Sequence, residues 1–439
     1  MKNRFYHRSN SSQIVVCGGG PAGIAAAIAA ARGGCEVTLV ERYGFLGGNL
    51  TAGLVNPMMT FHTLSGRQII KGIAQEIVDR LVTTGGSPGH IPDPVQFVGS
   101  VTPFEPEVLK MVAEQMLLEA GVKMRYHALL IDAERQDNRL QSITLATKSG
   151  LETIHGEFFI DTTGDADLVN LAKEQYDIGR DADGFTQPMT LIFRIGNVDI
   201  EQVLSYVRDH PQDFHLPYGV EALPTSGLVG ISGFFSLVQE AIEKKEIPPY
   251  RDRLLFFGLG KQDVIANVTR IMGLSGVDAH DLSSAETLGR SQAWTYFAFM
   301  RRHIPGFQKA RLIQTGAQIG VRETRRLRGQ YVLTEEDLLN GTSFPDTVAL
   351  GAYPIDVHSP VDDSLQLQNL KPDGFYEIPL RSLMPQNVEN LLVAGRCISS
   401  THTALAALRV APTAMATGEA AGRTAALIIN EQQSVESGI

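Results

Sequence analysis

A chain of 439 residues is too long for one ordinary core and points to two or three folding units. Hydrophobic residues at 43% and charged residues at 20% give the balance of a globular protein rather than a disordered one. A formal net charge of −10 repels phosphate backbones and argues against a nucleic-acid partner.

The leading residues, Met1 to Ser12, are polar, and no apolar signal core follows Arg4 and Arg8; a cytoplasmic location is the expectation. A β-branched strand over 13–17 then runs into Gly18-Gly19-Gly20-Pro21-Ala22-Gly23, a GxGxxG turn. An Ala-rich helix over 24–32, a second strand over 36–40 and Glu41 complete a βαβ unit. Each part has a task. Gly18 allows the tight turn, Gly20 lets the backbone approach a diphosphate, and Gly23 lets the helix pack on the strand. Backbone N–H groups at the helix start face the phosphates, and Glu41 accepts hydrogen bonds from a ribose. A glycine-rich turn in some other α/β protein would not bring strand, helix, second strand and acid together at this spacing, so the unit predicts dinucleotide binding. The apolar run over 24–31 ends at Arg32, far short of the roughly 18 residues of a membrane span.

Further along, the pattern predicts a helix over 105–120 and a strand over 122–133. A hairpin of 140–147 and 152–158 follows, turning at Lys148-Ser149-Gly150. A buried strand over 158–160 leads into Asp161-Thr162-Thr163-Gly164-Asp165. From 177 to 345 the texture changes: one strand-like run over 189–195, loops rich in Pro and Gly, then helices over 283–303 and 310–327. The last stretch returns to a strand over 390–395 and an Ala-rich helix over 412–429, with a frayed polar tail from Glu431. Gly258-Leu259-Gly260 lies in a loop-like context without a third glycine, so a second dinucleotide unit is not expected. Cys17, Cys35 and Cys397 show neither CxxC nor metal spacing and read as reduced, buried thiols; no metal site is expected.

The stretch after Glu41, Arg42-Tyr43-Gly44-Phe45-Leu46-Gly47-Gly48-Asn49-Leu50-Thr51, resembles the flavoprotein superfamily that includes glutathione reductase and the fumarate reductase flavoprotein subunit. Its nearest pattern is the group called FAD-dependent oxidoreductases. In that group a Gly-Gly turn after the acid approaches FAD; Gly47 and Gly48 match it, with Arg42, Asn49 and Thr51 beside it. The segment at 161–165 resembles the family's second cofactor-contact strand and places Thr163, Gly164 and Asp165 near the cofactor. The run over 390–396, with Gly395 and Arg396, followed by Gly418 and Gly422, resembles the closing FAD motif. The resemblance further implies Leu129 near adenine. It covers both ends of the chain and is weak between about 200 and 310.

The resemblance implies an α/β protein: a Rossmann-like FAD-binding domain, a parallel sheet with helices and a β-hairpin or meander, plus an inserted α+β substrate domain. The boundaries read as 11–176 for the first part of the FAD-binding domain, 177–345 for the insertion and 346–433 for the C-terminal part. Pro412 suits the first turn of the last helix. The N–H groups of Thr413 and Ala414 would face the flavin pyrimidine edge, where they favour the anionic reduced ring. The Gly-Gly turn is followed by Asn-Leu-Thr-Ala-Gly, without the paired cysteines of disulfide reductases. The external electron partner is therefore oxygen, a quinone, a redox protein or a visiting nicotinamide.

Four sets of residues are candidates for chemistry. Arg322, Arg325, Arg326 and Arg328 would place Arg322 on one helical face with Arg325 and Arg326. Arginine forks hold carboxylates, while the competing reading is a solvated face paired with Glu323. Arg322 stands out because the family's G-x-R-E-T segment returns toward the flavin. In an extended segment Asp356 and His358 point the same way, so the acid orients the imidazole as a proton acceptor. His402 follows the closing strand. A structural, hydrogen-bonded role competes with catalysis for both histidines. Arg409 would neutralise flavin or substrate charge, or brace the final helix. The expected function is hydride transfer between a small organic substrate, carboxylate-bearing in one version, and flavin N5. A flavin monooxygenase, a redox-neutral flavoenzyme or a subunit of a larger redox complex is the alternative. A homodimer is compatible with this class.

Overall fold

The computed structural model describes residues 8–223, 230–260, 262–362 and 364–437, so the first seven residues of the polar leader lie outside the described residues. The expected βαβ unit forms from β1 (Arg8–Cys17), α1 (Pro21–Arg32) and β2 (Val37–Val40). β1 starts five residues earlier than its apolar core suggests, because its polar front half pairs with Glu152 to Gly156. Ile14, Val15 and Val16 are fully buried, as expected for a parallel strand covered on both faces.

β1 is the centre of the main sheet. It runs parallel to β2, with Cys17 opposite Val40, and parallel to Gly150–Asp161, with Cys17 opposite Asp161. The closing strand Leu391–Val393 is also parallel to Gly150–Asp161 and sets Val393 opposite Asp161. Four strands therefore end at one level, which is the edge where doubly wound sheets bind ligands. The other flank is an antiparallel meander, Leu129–Gln136, Arg139–Thr147 and Gly150–Asp161. The single strand expected over 122–133 is broken into Lys123–Arg125 and Leu129–Gln136. The break falls at His127, whose φ is 52° and whose N–H is drawn to Tyr43 O at 3.1 Å.

The closing helix Ala411–Ser437 packs beside α1. It extends through the residues expected to fray. A Cβ on Gly418 would lie 2.1 Å from Ala22 O, and one on Gly422 would lie 2.1 Å from Ala26 O. Residue numbers rise together along the contact, so the two helices run parallel. Gly418 is seven positions into the closing helix and Ala22 is one position past the start of α1. At 1.5 Å per residue the closing helix therefore starts about 9 Å beyond α1.

A second core, with buried residues from Met189 to Val321, fills the inserted region. Its five-stranded antiparallel sheet has the order Gly230–Gly233, Leu254–Leu259, Asp263–Ala266, Phe193–Gly196, Arg311–Thr315. The helix Ala279–His303 is capped by Asp278 and carries Arg301, Arg302 and His303 in its last turn. Leu333 and Leu338 belong instead to the core of the main body. The expected helix over 310–327 is absent. Arg311–Thr315 is an edge strand, Gly316 N–H donates to Ile192 O, and Gly320 pairs with Thr190. Arg325–Leu327 is a short strand antiparallel to Tyr176–Ile178, so Arg322, Arg325 and Arg326 share no helical face. Gly258 lies inside a strand rather than a loop. No helix among the described residues is long and apolar enough to cross a membrane.

Gly422→Leu should destabilise the protein by at least about 2 kcal/mol, because the helices must separate to admit the side chain. Denaturant unfolding measures this, and an unchanged midpoint would contradict the close contact.

Candidate active site

A cavity of about 1020 Å³ opens at the level where the four parallel strands end. Its first part is a cradle built by glycines with distinct tasks. Gly18 has φ 110°, and a Cβ there would lie 2.5 Å from Thr162 O. A Cβ on Gly23 would strike Gly18 O at 1.8 Å. Both are packing demands, and Gly23 does not line the cavity. Gly20 differs: a Cβ there would meet nothing nearer than Gly48 Cα at 3.9 Å, so it would project into open cavity space. Pro21 and Ala22 line the same wall. Here the first N–H groups of α1 lack helix partners and its dipole favours an anion.

Buried Glu41 ties the end of β2 to this turn, accepting from Gly19 N–H at 2.7 Å and Tyr43 N–H at 2.9 Å. Burial pushes its carboxyl up, against those two bonds. Gly47 N–H donates to Gly19 O at 2.8 Å, and Thr51 Oγ1 donates to Leu46 O at 2.6 Å. These two residues hold the turn, while Gly48 and Asn49 line the cavity. Arg42 reaches Gln318 Oε1 at 2.7 Å. Thr163, Gly164 and Asp165 form the opposite wall with Gly395 and Arg396. Arg396 pairs with Asp165 at 2.7 Å, and Thr324 Oγ1 donates to the same carboxylate at 2.9 Å.

Two expected contacts differ. Leu129 is 52% exposed at the start of the meander and lies outside the cavity lining. Ala414 lines the cavity, but its N–H donates to Val410 O at 2.9 Å. Buried Thr413 is thus the last donor ahead of the helix ladder, since Pro412 has no N–H. The residues present fit FAD: open space at Gly20 for a diphosphate, an acid at the end of β2, and a second helix start further along the same wall.

Beyond Gly395 the cavity continues between the two bodies. The strand Ile355–His358 presents Asp356 and His358 on one face, with His358 Nε2 3.3 Å from Asp356 Oδ2. Tyr353 donates to that oxygen at 3.1 Å, and Arg409 Nη2 lies 3.5 Å from it. Burial opposes charge on Asp356, but His358, Arg409 and Arg322 outweigh it and hold the carboxyl below its usual range. Burial pushes the His358 imidazole down to about 3; Asp356 pulls the other way and Arg322 adds to the fall. Arg322 donates from Nη1 to Pro188 O and Thr190 Oγ1, both at 2.6 Å. Burial, then Arg409 and Arg251, push its pKa down. Arg270 pins the turn after His358 by donating to Ser359 O at 2.7 Å and Asp362 O at 2.8 Å.

His402 is not part of this wall. Its Nδ1 lies 2.9 Å from Glu323 Oε1, and buried Glu323 also pairs with buried Arg326. Arg326 in turn bonds Ser400 O and Gly179 O, both at 3.0 Å. The trio braces the segment behind the site. Arg325 pairs with Asp167, and Arg328 with Asp177. Of the four arginines in the run, only Arg322 lines the cavity. Arg251, Arg270 and Tyr353 are among the lining residues that sequence reasoning missed as site residues. Arg251 and Arg270 sit in segments with no local motif and meet the site only through the insertion's sheet.

Gly20→Val should abolish FAD retention while leaving the fold intact, since the new side chain has room everywhere except in the diphosphate space. Flavin absorbance per chain and far-UV circular dichroism measure the two effects. Full FAD content would contradict the cradle.

A family model described as FAD dependent oxidoreductase matches residues 13–437. A search of curated proteins finds no match. Among solved structures, a geranylgeranyl bacteriochlorophyll reductase-like protein from Thermoplasma acidophilum is 12% identical, with a TM-score of 0.48 over 98% of this chain and 80% of that one. The flavin-dependent brominase Bmp2 is 11% identical, with a TM-score of 0.48 over 96% and 80% of the two chains. The myxobacterial chondrochloren halogenase CndH is 14% identical, with a TM-score of 0.46 over 98% and 76%. The chain belongs to the FAD dependent oxidoreductase family, and its cofactor is FAD.

Proposed function

We propose that the protein transfers hydride between a small carboxylate-bearing organic molecule and the flavin, with His358 moving the accompanying proton. The observation that carries this reading is a His358–Asp356 pair on the wall of the same cavity that holds the FAD cradle, beside Arg322 and Arg409. FAD, when bound, supplies the hydride acceptor or donor. Arg322 and Arg409 bind and orient the substrate carboxylate. His358 is uncharged in the free protein and takes a proton from the substrate; Asp356 stabilises the imidazolium that results. Burial is the main cause of the lowered His358 pKa, and an anion beside Arg322 offsets only the lesser, repulsive part of it. In the reverse direction the protonated His358 returns the proton as a double bond is reduced. Tyr353 and Arg409 keep Asp356 in place.

His358→Ala should slow anaerobic bleaching of the flavin by a reactive acid by about 10²- to 10⁴-fold, with FAD content unchanged. An unchanged bleaching rate would remove His358 from the chemistry. The lowered pKa carries a sign. An ordinary histidine protonates below about pH 6.5, whereas His358 stays neutral until pH approaches 3. For substrate oxidation, kcat/KM should therefore show no histidine-type fall between pH 7.5 and 5. A fall centred near 6.5 would contradict the assignment.

A further inference from the structure

The strand Ile355–His358 is half of a hairpin, and its partner Leu365–Gln368 is patterned against the core rather than with it. The antiparallel register sets Ile355 opposite Gln368, Asp356 opposite Leu367, Val357 opposite Gln366 and His358 opposite Leu365. Directly opposed residues share a face of the pair. On one face Ile355 and Val357 belong to the core of the main body, yet their partners are two glutamines. On the other face Asp356 and His358 line the cavity, and their partners are two leucines. A strand that served only the core would carry its apolar residues on the core face, and a slip of one residue in register would put them there. Here the leucines share the face of the polar pair instead.

Both leucines line the cavity, whereas neither Gln366 nor Gln368 does. Leu365 is 46% and Leu367 42% exposed, so the protein leaves both half uncovered beside the proposed proton-transfer pair. Arg270 holds the hairpin turn at Ser359 O and Asp362 O, which keeps this face in place. Opposed Cβ atoms lie about 5 Å apart, and alternate residues of a strand about 7 Å apart. The leucines therefore form an apolar shelf alongside His358 and Asp356. The inserted sheet adds Leu255 and Phe257, alternate residues of Leu254–Leu259 that share one of its faces and line the same cavity. Apolar side chains next to a few fixed polar groups are what a pocket uses to recognise the hydrocarbon part of a ligand, because covering them removes apolar surface from water.

Resting on the functional reading above, we propose that the substrate is an amphipathic monocarboxylic acid: its carboxylate is held by Arg322 and Arg409, and its hydrocarbon body lies on Leu365 and Leu367, which set the specificity. The assay is binding of acetate, butyrate, hexanoate and octanoate to the FAD-loaded protein at fixed ionic strength, with 1-octanol as the uncharged probe. It is read by the rise in unfolding temperature and by the change in the flavin absorption spectrum. Each methylene laid on apolar surface strengthens binding by about four-fold, so octanoate should bind about thirty-fold or more tighter than butyrate. The double variant Leu365→Gln, Leu367→Gln should cut that margin to about three-fold or less with FAD content unchanged. The double variant Leu365→Met, Leu367→Met, which keeps the apolar volume, should retain most of it. The proposal is overturned if the acids bind alike or if the glutamine variant keeps the margin. It is also overturned if that variant loses FAD, which would make the leucines a cover for the cofactor, or if the wild-type protein is a dimer that the variant dissolves, which would give the shelf to a second copy. Acids that bind alike would leave the functional reading standing. Binding of 1-octanol as tight as that of octanoate would remove the carboxylate from that reading and sink both.

Discussion

The backbone-to-backbone contact between α1 and the closing helix sets the geometry of everything else. Two glycines on one helix face two alanines on the other, and any larger residue on the glycine side would strike a carbonyl oxygen. The contact fixes the helices as parallel and staggers their starts by about 9 Å. Two positive helix ends therefore lie along one wall, at the level where four strands terminate. A molecule with an anionic centre and a ring further along is the ligand such a wall accommodates.

The inserted body closes this wall from the other side. Its sheet carries Arg251 and Arg270 to the cavity, while Arg322 sits where the chain leaves the sheet and re-enters the main body. Arg270 holds the turn after His358 through main-chain oxygens, so the histidine strand is pinned by a residue of the opposite body. The setting of His358 consequently depends on both bodies: burial lowers its pKa most, and arginines remote in sequence, Arg322 and Arg251, add to the fall.

The parts legible in the sequence were those encoded locally. The βαβ unit, the acid at its end and the closing strand and helix all follow from short spacing rules, and so did Asp356 and His358 on one face of a strand. Non-local features were not legible. The run over 310–327 has helical spacing, but Gly316 and Gly320 and pairing with 190–195 turn it into strand and loop. That error put Arg322, Arg325 and Arg326 on one imagined face, whereas Arg325 pairs with Asp167 and Arg326 with its near neighbour Glu323, and Arg328, off that face, pairs with Asp177. His402 is drawn to Glu323, a partner 79 positions away that adjacency to the closing strand does not reveal. The Ala414 donor was misassigned because the helix begins one residue earlier than Pro412, which moves the ladder forward.

The most direct test of the account is an electron-density map of the protein loaded with FAD. The diphosphate should lie beside Gly20 at the start of α1, and the flavin ring against the start of the closing helix with its open face toward His358. A flavin bound in the reverse sense, with adenine beneath His358, would contradict it, as would a ring separated from His358 by the inserted body.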